Sequence, residues 1–185
     1  NAGTGSAISS NYSVDTVRPT ATITLADNAL TAGETTTVTF RFSETVNGFT
    51  RDDIELSDAN GTMGPLTANT DGRTWTATFT PTANVNDASN TIRVNLTGVT
   101  NAAGNAGTGT ASSDNYTVNT QRPTATITLT DTTLSAGETT TVTFRFSETV
   151  NGFTRDDVEL SDANGTLGEP TSNDNGRTWT ATFTP

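Results

Sequence analysis

Sixteen consecutive residues, VTFRFSETVNGFTRDD, occur twice in this chain, at positions 38–53 and 142–157. A shift of 104 positions aligns residues 18–81 with residues 122–185 without a gap, and 53 of these 64 positions are identical. The same shift aligns residues 1–17 with residues 105–121, where 11 of 17 positions match. Tandem copies of this kind are separate folding units that contact their neighbours. We therefore predict three parts: residues 1–17 as the last strand of a preceding repeat, residues 18–121 as a complete repeat, and residues 122–185 as the first part of the next.

Within the repeat, apolar and polar residues alternate with a period of two, which is typical of half-buried β-strands. The alternating segments are TATITL, TVTFRF, DIEL, TWTATF, TIRVNL and NYTV. Turn sequences rich in Gly, Asn and Asp separate these segments. The pattern predicts an all-β fold, a β-sandwich repeated in tandem with a period of 104 residues. Trp75 and Trp179 share their strand face with Ala and Phe, so we expect both in the core and not on a sugar-binding surface.

The composition excludes several functions. The net charge is -11, and all nine basic residues are arginine. A chain this acidic is a poor partner for nucleic acid, which needs a surplus of basic side chains. Without Cys and His it lacks thiol chemistry and the commonest general base. No apolar run is long enough for insertion into a membrane. We expect a protein that is not an enzyme.

One acidic residue lies on the inward face of a predicted strand. Glu44 continues the inward series Val38, Phe40 and Phe42. A lone carboxylate is expensive to bury, so Glu44 needs a partner. Two interpretations stay open, an ion pair with a nearby Arg or a bound cation. Calcium suits a chain of this composition, because it takes six to eight oxygen ligands from Asp, Glu, Asn and carbonyl groups.

The expected course of the strands gathers acidic and amide residues at the two ends of each sandwich. The loop after Glu44 should lie beside Asp15 and the loop that carries Asn101 and Asn105, while Asp87 belongs to a loop at the opposite end. Stacked repeats would then bring the Asp87 end of one repeat to the Glu148 end of the next. The candidate calcium ligands are Asp15, Glu44, Asp52, Asp53, Asp87, Asn105, Asn119, Glu148, Asp156 and Asp157.

The sequence resembles the bacterial Ig-like repeats of giant adhesins that Gram-negative bacteria secrete by the type I route. The resemblance is carried by DTVRPT, AGETTTVTFRFSETVNGF, NGT, GRTWTATFTP and AGN, and it extends over the whole chain. It implies an Ig-like sandwich that acts as an extracellular spacer at the cell surface, made rigid by calcium. The partners would be neighbouring repeats of the same chain, and the host or surface receptor would be bound elsewhere in the full protein.

The resemblance also implies a ligand set. In that family the linker Asp, the Glu of FSE and acidic loop residues supply calcium ligands. Carried over by position, these are Asp15, Glu44, Asp53 and Asn105, with Glu148 and Asp157 in the next copy. In the second junction Asn119 replaces the linker Asp, so one negative charge is lost and we expect weaker binding there. The alternative function is a ligand-binding Ig-like module, for carbohydrate or, through its Thr-x-Thr faces, for ice.

Overall fold

A computed structural model describes residues 3–185 of the chain. The chain divides into two compact units, unit 1 at Asn1–Gln121 and unit 2 at Arg122–Pro185. Both consist of short strands, and each contains one 3-10 turn, at Arg51–Asp53 and Arg155–Asp157 respectively. The described residues contain no helix long and apolar enough to cross a membrane. The all-β prediction is therefore confirmed.

The described part of unit 1, residues 3–121, contains thirteen strands. They are β1 Ala21–Leu25, β2 Ala29–Thr31, β3 Thr36–Phe42, β4 Val46–Asn47, β5 Ile54–Glu55, β6 Gly61–Met63, β7 Thr67–Ala68, β8 Thr74–Pro81, β9 Asn86–Asn90, β10 Arg93–Asn95, β11 Thr100–Asn101, β12 Thr110–Ser112 and β13 Tyr116–Asn119. The described residues before β1 form no strand.

The largest sheet of unit 1 is antiparallel, with the order β1-β3-β8 and with β6 and β7 both paired to β8. In β3 the residues alternate between buried and more exposed positions, so that Val38, Phe40 and Phe42 face inward. Thr37, Thr39 and Arg41 alternate with them and face outward. A β-branched threonine suits a strand and still tolerates water. The alternation in the sequence thus predicted this sheet and its orientation.

Three smaller sheets complete unit 1: β12-β10-β5, β2-β13-β9 and β11-β4. Their inward side chains, including Ile54, Val94, Tyr116 and Val118, join those of the large sheet in one buried cluster. The core of a sandwich therefore lies between the large sheet and these smaller ones. Strand β13 is central to its sheet, because it pairs in parallel with β2 and antiparallel with β9.

One local prediction was wrong. The sequence NVNDAS was expected to be a loop that carries Asp87, but Asp87 lies within β9. This strand has no apolar alternation, and its pairing with β13 depends on backbone bonds and on an amide network around Asn90. A period-two pattern cannot reveal a strand that is held by such contacts.

Unit 2 repeats the large sheet of unit 1. Its strands are β14 Ala125–Leu129, β15 Thr140–Phe146, β16 Thr166–Leu167, β17 Thr171–Ser172 and β18 Thr178–Thr184. They pair in the order β14-β15-β18, with β16 and β17 both on β18. The register also repeats, since Ala125 opposes Phe146 just as Ala21 opposes Phe42. The smaller buried cluster of unit 2 centres on Val142 and other side chains of this one sheet.

Candidate functional site

A polar cluster lies where the segment before β1 meets the loop after β11. Its centre is Asn101, the last residue of β11, which is only 2% exposed. The Nδ2 amide of Asn101 lies 3.3 Å from Oδ2 of Asp15 and 3.1 Å from Oε2 of Glu44. It also lies 3.0 Å from the carbonyl oxygen of Val17. We call Asp15, Glu44, Asn101 and Asn105 the Asn101 cluster.

The orientation of the Asn101 amide is fixed by the turn that follows it. Its Oδ1 accepts hydrogen bonds from the backbone N–H groups of Ala103, at 3.1 Å, and Asn105, at 2.9 Å. Nδ2 must therefore face the carboxylates. An NH₂ group has two hydrogens, yet three oxygen acceptors surround it here. The cluster has more acceptor oxygens than donors to satisfy them.

The excess of acceptor oxygens over donors is clearest at Glu44. Its Oε1 atom is buried and has no hydrogen-bond partner among the described residues. The ion pairs in residues 3–185 are Arg93–Asp58 and Arg155–Asp156, so the alternative in which a nearby Arg neutralises Glu44 is not what the structure shows. A buried carboxylate oxygen without a donor is costly, and a bound cation would remove that cost.

The loop after β11 also fastens the segment that leads into unit 1. Nδ2 of Asn105 donates to the carbonyl oxygen of Asp15 at 2.9 Å. Nη1 of Arg18 donates to the carbonyl oxygen of Ala106 at 2.8 Å. With the bond from Asn101 to Val17, three side chains tie residues 15–18 to the end of the sandwich. The leading segment is therefore held from Asp15 onward.

Two other predicted ligands, Asp52 and Asp53, lie in the loop after Glu44 and have different surroundings. Asp53 closes a capping box, because its Oδ2 accepts from the backbone N–H of Thr50 at 2.8 Å and from the Thr50 hydroxyl at 3.1 Å. Asp52 is exposed on the same 3-10 turn. No hydrogen bond among the described residues connects either side chain to the Asn101 cluster. A role for them as calcium ligands stays a prediction.

Asp87 and Asn119 occupy the sheet that contains β13. Oδ2 of Asp87 accepts from Nδ2 of Asn60 at 2.8 Å, and Oδ1 accepts from the backbone N–H of Ser89. Asn119 ends β13 opposite Asn86 and is exposed. The contacts of Asp87 stabilise β9 and the turn at Asn60, whose φ is 46°. Asp87 therefore has a structural role that the sequence did not reveal.

In unit 2 the predicted ligands are Glu148, Asp156 and Asp157. Glu148 is half-buried, as its counterpart Glu44 is. Asp157 repeats the capping box of Asp53, accepting from the backbone N–H of Thr154 at 2.8 Å. Asp156 pairs with the neighbouring Arg155 at 3.2 Å, and both side chains are exposed.

The side chains of the Asn101 cluster determine which metal ion they could hold. Within the described chain, no three acidic side chains lie together as a metal-binding group. A cation here would depend on two carboxylates, from Asp15 and Glu44, together with amide or carbonyl oxygens. Calcium accepts such a mixed oxygen set, whereas zinc and copper prefer the nitrogen and sulfur ligands that this chain lacks. The donor chemistry and the unpartnered oxygen of Glu44 fit calcium.

Asn101 was expected near this end of the sandwich, but it was predicted neither as a ligand nor as the centre of the cluster. The signal was available, since Asn followed by AAGN is typical of a side chain that closes its own turn.

The tryptophans behave as expected. Trp75 packs edge-on against Phe42 at 5.3 Å, and Trp179 against Phe153 at 5.6 Å. Both are half-buried against the cores of their units.

Comparison with known families agrees with this architecture. The profile of the bacterial Ig-like domain matches residues 15–118 and again residues 119–185. The two matches cover nearly the whole chain, so the chain belongs to this family of bacterial Ig-like domains. Among curated proteins, no relative matches the sequence.

Proposed function

We propose that this chain is part of the spacer region of a bacterial cell-surface adhesin, in which tandem Ig-like units are stiffened by calcium at their ends. The adhesive contact would be made elsewhere in the full protein. Two features of the chain support the proposal, the near-identical repeats and the Asn101 cluster.

The repeats favour a spacer over a binding or catalytic module. Units that contact only their neighbours add length in proportion to their number. A strand rises about 3.3 Å per residue, so each sandwich adds a few tens of ångströms of reach. The hydrogen bonds from Asn101, Asn105 and Arg18 to the leading segment support a stiff joint, because they hold residues 15–18 against the unit that follows.

The single observation that carries the calcium proposal is the buried Oε1 atom of Glu44 without a partner. A cation held by Glu44 and Asp15 would satisfy that oxygen and neutralise two carboxylates that share one amide. It would also bind the leading segment and the sandwich to the same ion, which adds rigidity to the joint. Calcium outside the cell would then favour the extended array, in keeping with a surface location after type I secretion.

The experiment is calorimetric titration of the chain with calcium, followed by thermal unfolding in calcium and in EDTA. Trp179→Phe leaves Trp75 as the only tryptophan, so its fluorescence reports on unit 1. At a calcium concentration about 100-fold above Kd, binding adds about 2.7 kcal/mol, which raises Tm by roughly 10–20 °C for a domain of this size. Glu44→Gln should abolish most of that shift.

A matched control is Glu55→Gln, the same substitution at an exposed position of β5. It should leave the calcium effect on Tm intact. An equal calcium effect in the unmodified chain and the Glu44→Gln variant would contradict the assignment of the site. No calcium effect in any of the chains would leave an Ig-like spacer without a metal at this joint, and the calcium part of the proposal would be wrong.

A further inference from the structure

The chain contains five triplets of the form Asn-x-Ser/Thr in which x is not proline. They begin at Asn11, Asn60, Asn95, Asn115 and Asn164. This triplet is the acceptor sequence for N-linked sugars, but a chain rich in threonine contains such triplets by chance. The sequence alone therefore does not distinguish an acceptor among them. The surroundings of the five amide side chains do.

The Asn95 triplet has its hydroxyl group on the amide. Asn95 is the last residue of β10, and Thr97 lies in the loop that leads to β11. Oδ1 of Asn95 accepts from the backbone N–H of Thr97 at 3.0 Å and from the Thr97 hydroxyl at 2.8 Å. The loop continues in a turn, in which the N–H of Val99 donates to the carbonyl oxygen of Leu96 at 3.1 Å. With both donors on Oδ1, the nitrogen of the Asn95 amide points away from Thr97.

The Nδ2 atom of Asn95 is open to solvent. It donates to no other atom of the described residues. It is also not one of the buried polar atoms without a partner, which in the described chain are Oε1 of Glu44, Nε of Arg73 and Oγ1 of Thr91. Asn95 is half-buried and Thr97 is exposed. A fixed loop thus presents the amide nitrogen at the surface of unit 1.

The amides of Asn60 and Asn115 are engaged in other contacts. Nδ2 of Asn60 donates to Oδ2 of Asp87 at 2.8 Å and to Oδ1 of Asn90 at 2.7 Å. Nδ2 of Asn115 donates to the carbonyl oxygen of Ala88 at 2.9 Å. Its Oδ1 accepts from the backbone N–H of Asn90 at 3.0 Å. Neither nitrogen can form a new bond unless these contacts break.

The two remaining triplets lack the contact between hydroxyl and amide. Thr166 lies in β16 opposite Thr184, and no hydrogen bond joins its hydroxyl to Asn164 among the described residues. Asn11 precedes β1, and the described residues show no bond between it and Ser13. Within residues 3–185, Asn95 alone combines a hydroxyl on its amide oxygen with an open amide nitrogen.

We propose that Asn95 is an acceptor for an N-linked sugar, supplied by a donor whose C1 carries a diphosphate. The sugar would extend from the end of β10, in the small sheet β12-β10-β5. A bulky, hydrophilic group at this surface suits a domain that is exposed outside the cell. The proposal does not depend on the calcium site.

The contacts of Thr97 suit the chemistry of this transfer. An amide nitrogen is a weak nucleophile, because its lone pair is delocalised onto the carbonyl oxygen. Removal of a proton from Nδ2 places negative charge on Oδ1, where the two donors of Thr97 stabilise it. Nδ2 forms a bond to C1 of the sugar while the bond between C1 and the phosphate oxygen breaks. That oxygen keeps the electron pair, and the proton from Nδ2 goes to a base of the transferase.

The test uses the folded chain with Asn11→Gln, so that all remaining triplets lie within the two units. One sample receives a soluble N-glycosyltransferase and UDP-glucose, and another receives a membrane oligosaccharyltransferase and a lipid-linked oligosaccharide. Mass spectrometry of peptides then locates the sugar, and the active sample identifies the source of the donor. The rate at each Asn is divided by the rate for a synthetic peptide of the same sequence, which removes the intrinsic preference of the enzyme. The relative rate at Asn95 should exceed those at Asn60, Asn115 and Asn164 several-fold.

Three variants complete the test. Thr97→Val keeps the shape of the side chain without its hydroxyl and should abolish modification of Asn95. Thr97→Ser retains both donors and should preserve it. Asn115→Gln is the matched control and should leave the rate at Asn95 unchanged. The proposal would be overturned if neither enzyme modified Asn95 while both modified its peptide. Relative rates at Asn60 or Asn115 equal to that at Asn95, or continued modification in Thr97→Val, would also overturn it.

Discussion

The contact between Glu44 and Asn101 makes a prediction about the stability of unit 1 without metal. We consider Asn101→Ala, Glu44→Ala and the double variant, all in EDTA. The bond from Nδ2 of Asn101 to Oε2 of Glu44 is 3.1 Å long and joins a buried amide to a half-buried carboxylate. Hydrogen bonds to charged groups contribute about 1.5–3 kcal/mol, and partial exposure of Glu44 favours the lower end.

The two single variants should differ in their effects. Asn101→Ala removes the hydrogen bonds to Glu44, Asp15 and Val17. It also removes the oxygen that accepts from two N–H groups of the turn. The Glu44 carboxylate then loses the amide donor that it has in the unmodified chain. We expect a loss of about 3–4 kcal/mol in the free energy of unfolding. Glu44→Ala also removes the unpartnered Oε1 atom, which is a cost to the folded state, so its loss should be about 1 kcal/mol.

Urea unfolding followed by Trp75 fluorescence, in the Trp179→Phe background, measures all four corners of the cycle. The coupling energy between Glu44 and Asn101 should be about 1.5 kcal/mol. Asn95→Ala is the control, because among the described residues the Asn95 side chain bonds within its own turn, to Thr97, and its loss should cost less. A coupling below about 0.5 kcal/mol, or an Asn101→Ala variant as stable as the control, would refute the interpretation of Asn101 as the centre of the cluster.

Two further predictions concern single side chains. Tyr116→Phe should lower the free energy of unfolding of unit 1 by about 1–2 kcal/mol in urea, because the buried carbonyl oxygen of Ala59 loses its donor. Burial raises the pKa of Tyr116, so stability should fall as pH rises above about 10, and the Phe variant should lose part of that slope. In unit 2, the hydrogen bond from the Thr178 backbone lowers the pKa of Asp174 to about 2. The ionised Asp174 stabilises unit 2 above the ordinary pKa of about 4, and this stabilisation is lost as the pH falls toward 2. In the Asp174→Asn variant, the stability of unit 2, followed by Trp179 fluorescence, should therefore depend less on pH in this acid range.

The large sheet could be predicted from the sequence because the alternation that specifies each strand lies within that strand. The inward residues of β3 repeat every second position, and Glu44 continues that register to a half-buried position. By contrast, β2 is short and β9 is polar. Both form strands because they pair with β13, which lies further along the chain. A pattern within a few residues contains no information about such a partner.

The Asn101 cluster was only partly predictable for the same reason. Topology placed Asp15, Glu44 and the loop after β11 at one end of the sandwich, and the structure brings them within hydrogen-bonding distance. Which atom of the Asn101 amide meets the carboxylates depends on the turn that follows. The N–H groups of Ala103 and Asn105 bind Oδ1, so Nδ2 points toward the carboxylates. No composition or spacing argument distinguishes the oxygen of an amide from its nitrogen.

The two near-identical copies show which structural features the local sequence determines and which depend on residues elsewhere in the chain. Residues 18–81 and 122–185 form the same large sheet in the same register, so local sequence is sufficient for those strands. Yet Ile23 is 4% exposed and Ile127 is 58% exposed, although both lie in the identical segment ATITL. Burial in this fold is therefore set by residues 82–121 and not by the strand that becomes buried. It follows that a substitution at Ile23 should destabilise its unit far more than the same substitution at Ile127, despite identical sequence around both.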